Sequence, residues 1–209
     1  MDLCYLFLGC VVFILALYFI IELHYFLRTM MCFIWARVSK KKVHILDQTE
    51  FKGICLTTDV DGLLTHMNNA RYLRELDFAK IDFNERTGLY HSIRRRGGSI
   101  AIGATTIRYR RFIKLFTRYY VTTKIIYWDD QDIYMEHRFI TYSDHFINTI
   151  VLCKVKVLNC NADQIITDLI VNSSNCDIEA AKGQRSEMTP ELEKWIESNE
   201  ISSAFLRNS

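Results

Sequence analysis

The chain has 209 residues, half of them hydrophobic, and a formal net charge of +2. That length suits one domain plus an appendage, and so small a charge, with no basic face interleaved with aromatics, excludes a nucleic-acid partner. One proline and eight glycines exclude collagen-like repeats and long linkers. The seven cysteines, odd in number and without paired spacing, exclude a disulfide framework or a zinc site; reduced thiols facing cytosol are the simplest reading.

The first apolar run, Leu3 to Ile21, is nineteen residues without a charge. At about 1.5 Å rise per residue, a helix of that length spans roughly the hydrocarbon core of a bilayer. The expectation is one N-terminal transmembrane helix, a signal anchor, because Asp2 and the length of the run do not suit a cleaved signal peptide. From Glu22 onward, Tyr25, Phe26, Phe33 and Trp35 mix with Arg28 and Arg37, as in a helix continuing into the interface. Arg28, Arg37, Lys40, Lys41 and Lys42 all follow the apolar run, which places the rest of the chain in the cytosol. The endoplasmic reticulum is the expected membrane, and the Asn172-Ser173-Ser174 sequon would then stay unused. Residues 1–42 are read as anchor and basic juxtamembrane segment.

Beyond Lys42, Phe51–Thr57 reads as a first strand and Thr58-Asp59-Val60-Asp61-Gly62 as a turn. A helix is predicted over Asn69–Thr87, with Tyr72, Leu76, Ala79 and Phe83 at spacings of three and four forming one buried face and Gly88 as its C-cap. Strands are predicted over Ser99–Tyr109, Tyr119–Trp128, Ile133–Tyr142 and Ile150–Leu158. In the third, Ile133, Met135 and Phe139 face opposite to Glu136 and Arg138; in the fourth, Val151, Cys153, Val155 and Val157 face opposite to Lys154 and Lys156. One long helix followed by consecutive strands predicts an α+β domain, an antiparallel sheet wrapped around that helix, over residues 43–160. A C-terminal extension, 161–209, holds an edge strand at Gln164–Val171. It also holds a short helix that starts at Thr189-Pro190-Glu191 and runs to about Ser198.

The stretch richest in chemistry is Asp59-Val60-Asp61-Gly62-Leu63-Leu64-Thr65-His66-Met67-Asn68-Asn69-Ala70-Arg71-Tyr72. Thioester hydrolysis needs a group that activates water or attacks the carbonyl, and donors that hold the oxyanion. A carboxylate in a turn before a helix supplies the first, and unpaired amides at the helix start supply the second. The same residues also have ordinary readings: Asp and Asn before a helix cap and turn the chain, His66 can bond backbone in the loop, and Tyr72 can be core.

With its Asp-x-Asp turn, His-x-Asn-Asn step and Tyr on the first helical turn, the stretch resembles the hotdog-fold acyl-CoA and acyl-ACP thioesterases. The resemblance implies a hotdog fold and a homodimer with acyl sites at the helix N-termini near the subunit interface. It implies hydrolysis of long-chain acyl-CoA at a membrane, without metal or organic cofactor, coenzyme A entering as part of the substrate. Asp61 is then base or nucleophile and His66 and Asn68 are polar positioners. Asp59, Asn69, Ala70 and Tyr72 meet the substrate, with the amides near Asn68 to Ala70 as the oxyanion hole. One departure stands out: many relatives carry the second Asp four residues before the His, where this chain has Gly62, and Asp61 lies five before. That spacing keeps two alternatives open, an acyl-lipid binding or scaffolding protein without turnover and, less favoured, a hydratase-type hotdog. Glu75 and Asp77 lie on the helix where some hotdog thioesterases place their acid, although Glu75 reads more simply as paired with Arg71 or solvated. Arg110 and Arg111 belong to a basic cluster suited to coenzyme A phosphates or anionic headgroups, or to a solvated strand edge.

Overall fold

The computed structural model describes residues 2–174, 180 and 183–207. Two compact units, Met1–Lys41 and Lys42–Ser209, are taken separately. In the first, α1 (Asp2–Ile21) and α2 (Leu23–Val38) are separated at Glu22, whose φ of 45° is left-handed. Among the described residues no single helix is long and apolar enough to cross a membrane. Leu3–Tyr18 and Leu23–Val38 reach that length and composition only together, bent by 76°. The apolar run forms α1, and the helix expected to continue beyond it breaks at Glu22, the first charged residue after the run.

The second unit contains β1 (Thr49–Ile54), α3 (Asn69–Thr87), α4 (Leu89–Arg95), β2 (Ser99–Tyr109), β3 (Arg118–Trp128), β4 (Asp132–Thr141), β5 (Ile147–Leu158), α5 (Ala162–Ser174) and α6 (Pro190–Arg207). The five strands form one antiparallel sheet in the order β1-β3-β4-β5-β2. Helix α3 starts where the Asn68 side chain accepts from the Ala70 amide at 2.9 Å and ends at Gly88, whose φ of 75° a residue with a Cβ rarely adopts. Tyr72, Leu76, Ala79 and Phe83 are all buried in one core with Tyr119, Val121, Met135, Phe139, Val151 and Cys153 of the sheet. The alternation read in β4 and β5 holds, because Ile133, Met135, Phe139, Val151, Cys153, Val155 and Val157 all lie in that core. A sheet curled around one central helix is the hotdog arrangement, of the α+β class expected. Phe83→Ala is therefore expected to destabilise the unit by about 3–5 kcal/mol, read from urea unfolding; a loss below about 1 kcal/mol would place Phe83 outside the core.

Two C-terminal expectations change. Gln164–Val171 is not an edge strand but lies within α5, with Ala162, Ile165, Ile166 and Ile170 buried in the main core. Those residues recur at helical spacing, and Asn161 caps the helix by accepting from the Gln164 amide at 2.9 Å. The hydrophobic core consequently continues beyond residue 160. Helix α6 begins at Pro190 as expected, with the Thr189 carbonyl accepting from the Glu193 amide, but runs on past Ser198 to Arg207. Cys176 lies outside the described residues.

Candidate active site

Three segments meet at the N-terminal end of α3. The loop before the helix pairs with itself at Val60 and Met67, and His66 forms a bridge with Lys114. The Met67 amide donates to the Ile113 carbonyl at 2.8 Å, and the Phe116 amide donates to the Cys55 carbonyl at 2.8 Å. The loop over 61–67, the 110–117 segment and the end of β1 are thereby tied together.

Within this frame the two aspartates do different work. Asp59 is buried; its Oδ2 accepts from the Leu56 amide at 2.9 Å and its carbonyl from the Asn68 amide at 2.8 Å. It holds the turn. Asp61 is partly open to solvent and closes a six-residue loop, its amide donating to the His66 carbonyl at 3.0 Å and its carbonyl accepting from the Leu64 amide at 3.0 Å. Its Oδ1 accepts from the Thr65 amide at 3.0 Å and the Thr65 hydroxyl at 3.2 Å, and His66 Nδ1 stands 3.9 Å from Oδ2. The Thr65 amide above all, then the His66 amide and the Thr65 hydroxyl, hold the Asp61 carboxyl below the ordinary carboxylate value. At neutral pH Asp61 is an anion of reduced basicity.

The Thr65 hydroxyl lies 2.6 Å from His66 Nδ1, so Asp61, Thr65 and His66 form a continuous polar chain. The His66 ring packs against Phe112 with centroids 4.0 Å apart. Thr65 carries no assigned role in the sequence motif; its signal there is a hydroxyl four residues after an aspartate in a turn, within reach of its carboxylate.

The amides expected to form an oxyanion hole are mostly engaged. Asn68 N–H donates to Asp59, Ala70 N–H to the Asn68 side chain, and Arg71 N–H to the Asn68 carbonyl. Asn68 is a helix cap, and Ala70 is not a free donor. No hydrogen bond among the described residues engages the Asn69 amide, which leaves that one N–H at the start of the helix. The Asn69 carbonyl accepts from the Tyr109 hydroxyl at 3.1 Å, and Tyr72, buried beneath it, packs edge-on to both Tyr109 and Phe139.

Glu75, Arg110 and Arg111 all have partners within the fold. Glu75 is not solvated. It is 2% exposed, and its Oε2 accepts from the Tyr119 hydroxyl at 2.8 Å. Glu75 stands three residues after Tyr72 and four before Ala79, which puts it on the buried stripe. The Tyr119 ring lies against Gly53, where a Cβ would come within 2.6 Å of it, so that glycine makes room for the ring. Arg111 is held by the turn between β4 and β5: its Nη1 lies 2.6 Å from Asp144 Oδ2, its Nη2 donates to the Thr141 hydroxyl at 2.9 Å, and it stacks over Phe146. Its guanidinium lowers the Asp144 carboxyl to about 2. Arg110 donates to the Ile147 carbonyl at 3.3 Å. Both arginines brace the turn between β4 and β5. A thiol nucleophile is disfavoured as well, since burial first, with Asp59 and Glu75 nearby, pushes the Cys55 thiol up to about 11.

Residues 55–196 match the family described as the thioesterase-like superfamily. The chain is 40% identical to the protein THEM6 of Drosophila melanogaster over 93% of this chain and 95% of that protein. It is 31% identical to THEM6 of Xenopus laevis over 93% and 89%. Among solved structures, a probable thioesterase from Escherichia coli superposes with a TM-score of 0.52 at 17% identity, covering 59% of this chain and 95% of that one. The 1,4-dihydroxy-2-naphthoyl-CoA thioesterase of Synechocystis superposes with a TM-score of 0.52 at 10% identity, covering 61% and 98%. At such identities those two carry the fold alone, whereas the match over 55–196 and the relatives spanning nearly the whole length establish kinship: this chain belongs to the thioesterase-like superfamily.

Proposed function

We propose that the chain hydrolyses long-chain fatty acyl-CoA to fatty acid and coenzyme A. The observation that carries this reading is the ionised, partly exposed Asp61, joined through Thr65 to His66 in the loop that leads to Asn69, whose amide has no hydrogen-bond partner among the described residues. Asp61 takes a proton from water as the water oxygen bonds to the thioester carbon. The carbonyl electron pair moves to oxygen, where the Asn69 N–H meets it. Collapse breaks the carbon–sulfur bond, and the coenzyme A thiolate takes up the proton. Tyr72 and Tyr109 form the apolar wall beside the carbonyl. Side chains supply this chemistry, with no metal or organic cofactor in the scheme.

The proposed setting is a membrane of the endoplasmic reticulum, with the second unit facing cytosol, supported by the apolar N-terminal segment and by Arg28, Arg37, Lys40, Lys41 and Lys42 following it. The proposed assembly is a homodimer. Its support is the eleven-residue strand β2, which has β5 as its one neighbour and carries the exposed Ile102 and Tyr109.

A second reading, acyl binding without turnover, is favoured by a specific feature: the Asn68 and Ala70 amides are already satisfied and the Asp61 carboxylate is stabilised as an anion. Steady-state hydrolysis by the full chain in detergent, from short to long acyl chains, separates the two. Release of free fatty acid with kcat/KM rising with chain length is expected. Saturable acyl-CoA binding without acid release would replace hydrolysis by binding.

A further inference from the structure

The end of the fold that carries the site also carries apolar side chains turned into solvent. Leu63 and Leu64 form the tip of the loop closed by Asp61 and His66 and are 81% and 59% exposed. Phe112, against the His66 ring, is 62% exposed, and Phe116 is 64% exposed. Leu64 and Phe116 have φ of 54° and 59°, a left-handed backbone that bulky side chains avoid. Strain is thus held at two positions where it presents a large apolar side chain outward. Single exposed hydrophobics are unremarkable, but four on two mutually hydrogen-bonded segments form a concentrated rim.

The exposed charge on this rim is predominantly basic. Arg110, Lys114 and Arg118 are exposed. The nearby acids are already engaged: Asp59 with the Leu56 amide, Asp61 with Thr65, and Asp144 with Arg111. Apolar tips flanked by basic side chains match the boundary of an anionic bilayer, where the tips enter the acyl region and the cations meet headgroup phosphates and carboxylates.

We propose that this rim, with Leu63, Leu64, Phe112 and Phe116 at its tips and Arg110, Lys114 and Arg118 around them, docks the catalytic unit onto an anionic lipid surface. Docked in this way, the Asp61 loop faces the phase in which long acyl chains partition. The delivery of substrate rests on the thioesterase reading; the lipid contact does not.

The test uses the full chain in vesicles of phosphatidylcholine alone or enriched in phosphatidylserine, each with a trace of phospholipid bearing a photoactivatable acyl chain. Adducts are mapped by mass spectrometry. Peptides covering 61–67 and 110–118 are expected to label, about fivefold more in the anionic vesicles. Lys114→Glu is expected to remove most of that difference, and Leu63→Asp with Phe112→Asp to remove the adducts, with the exposed sites leaving folding intact. Absence of rim adducts while residues 1–41 label would overturn the docking surface. Equal labelling in the two vesicles would overturn its anionic character, and rim peptides linked to a second copy of the chain would reassign it as a subunit contact. No arm depends on turnover, so a chain that labels at the rim yet hydrolyses nothing keeps this inference and loses the thioesterase.

Discussion

Asp61→Asn is expected to lower kcat/KM for a long-chain acyl-CoA by about 10²–10⁴-fold, the contribution of a positioned general base. The amide keeps an oxygen to accept from Thr65 but loses the charge and the basic lone pair that take the proton. Asp59→Asn is the informative partner. Its role is to accept from the Leu56 amide while its carbonyl receives the Asn68 amide, and an Asn side chain can still accept. Less than about a tenfold loss is expected there. The acid limb of the Asp61-dependent rate should fall below the ordinary carboxylate value of about 3.9, because the Thr65 amide and its neighbours hold the anion. Losses of equal size in both variants would show that the turn, and not the carboxylate, carries the effect.

The second large effect is on acid stability and comes from His137 in the middle of β4. Its ring is fully buried, its Nδ1 lies 2.9 Å from the Thr123 hydroxyl, and its Nε2 has no hydrogen-bond partner among the described residues. Burial, with the Lys80 charge on α3 as a lesser cause, lowers its pKa from 6.5 to about 3. The folded protein therefore keeps the ring neutral while the unfolded chain takes up a proton below about pH 6.5. Stability is lost as pH falls from the unfolded value toward the folded one. Between about pH 6.5 and 4.5 the wild type should lose roughly 2–3 kcal/mol more than His137→Gln, read as the shift of urea midpoints at the two pH values. Parallel losses in the two proteins would mean that His137 is hydrated in the native state.

The elements best read from sequence are those whose local signals and tertiary demands agree. Asn68, the three-and-four spacing from Tyr72 to Phe83, and Gly88 mark α3 from cap to cap, and the alternation in β4 and β5 marks the face that packs on it. Misreadings arise where two signals compete. Gln164–Val171 is rich in β-branched residues, which fit a strand, but the spacing of Ala162, Ile165, Ile166, Leu169 and Ile170 is helical and Asn161 caps the helix. For Glu75, charge points to the surface while its place on the buried stripe points inward, and the stripe prevails. The loop bearing Asp61 was legible as a motif, whereas the donors that set its basicity were not. Those donors depend on a six-residue closure placing Thr65 over the carboxylate. Arg111 shows the same limit, since Asp144 lies thirty-three residues away in sequence and nothing local announces the pair.

The most direct test is single-turnover hydrolysis of palmitoyl-CoA by the full chain in ¹⁸O-labelled water, with fatty acid and coenzyme A both measured by mass spectrometry. One ¹⁸O in each released acid, acid and coenzyme A in equal amounts, and loss of both products in Asp61→Asn are the predicted results. Intact palmitoyl-CoA recovered from a folded, substrate-bound wild-type protein would contradict the thioesterase reading and leave acyl binding as the function of the site.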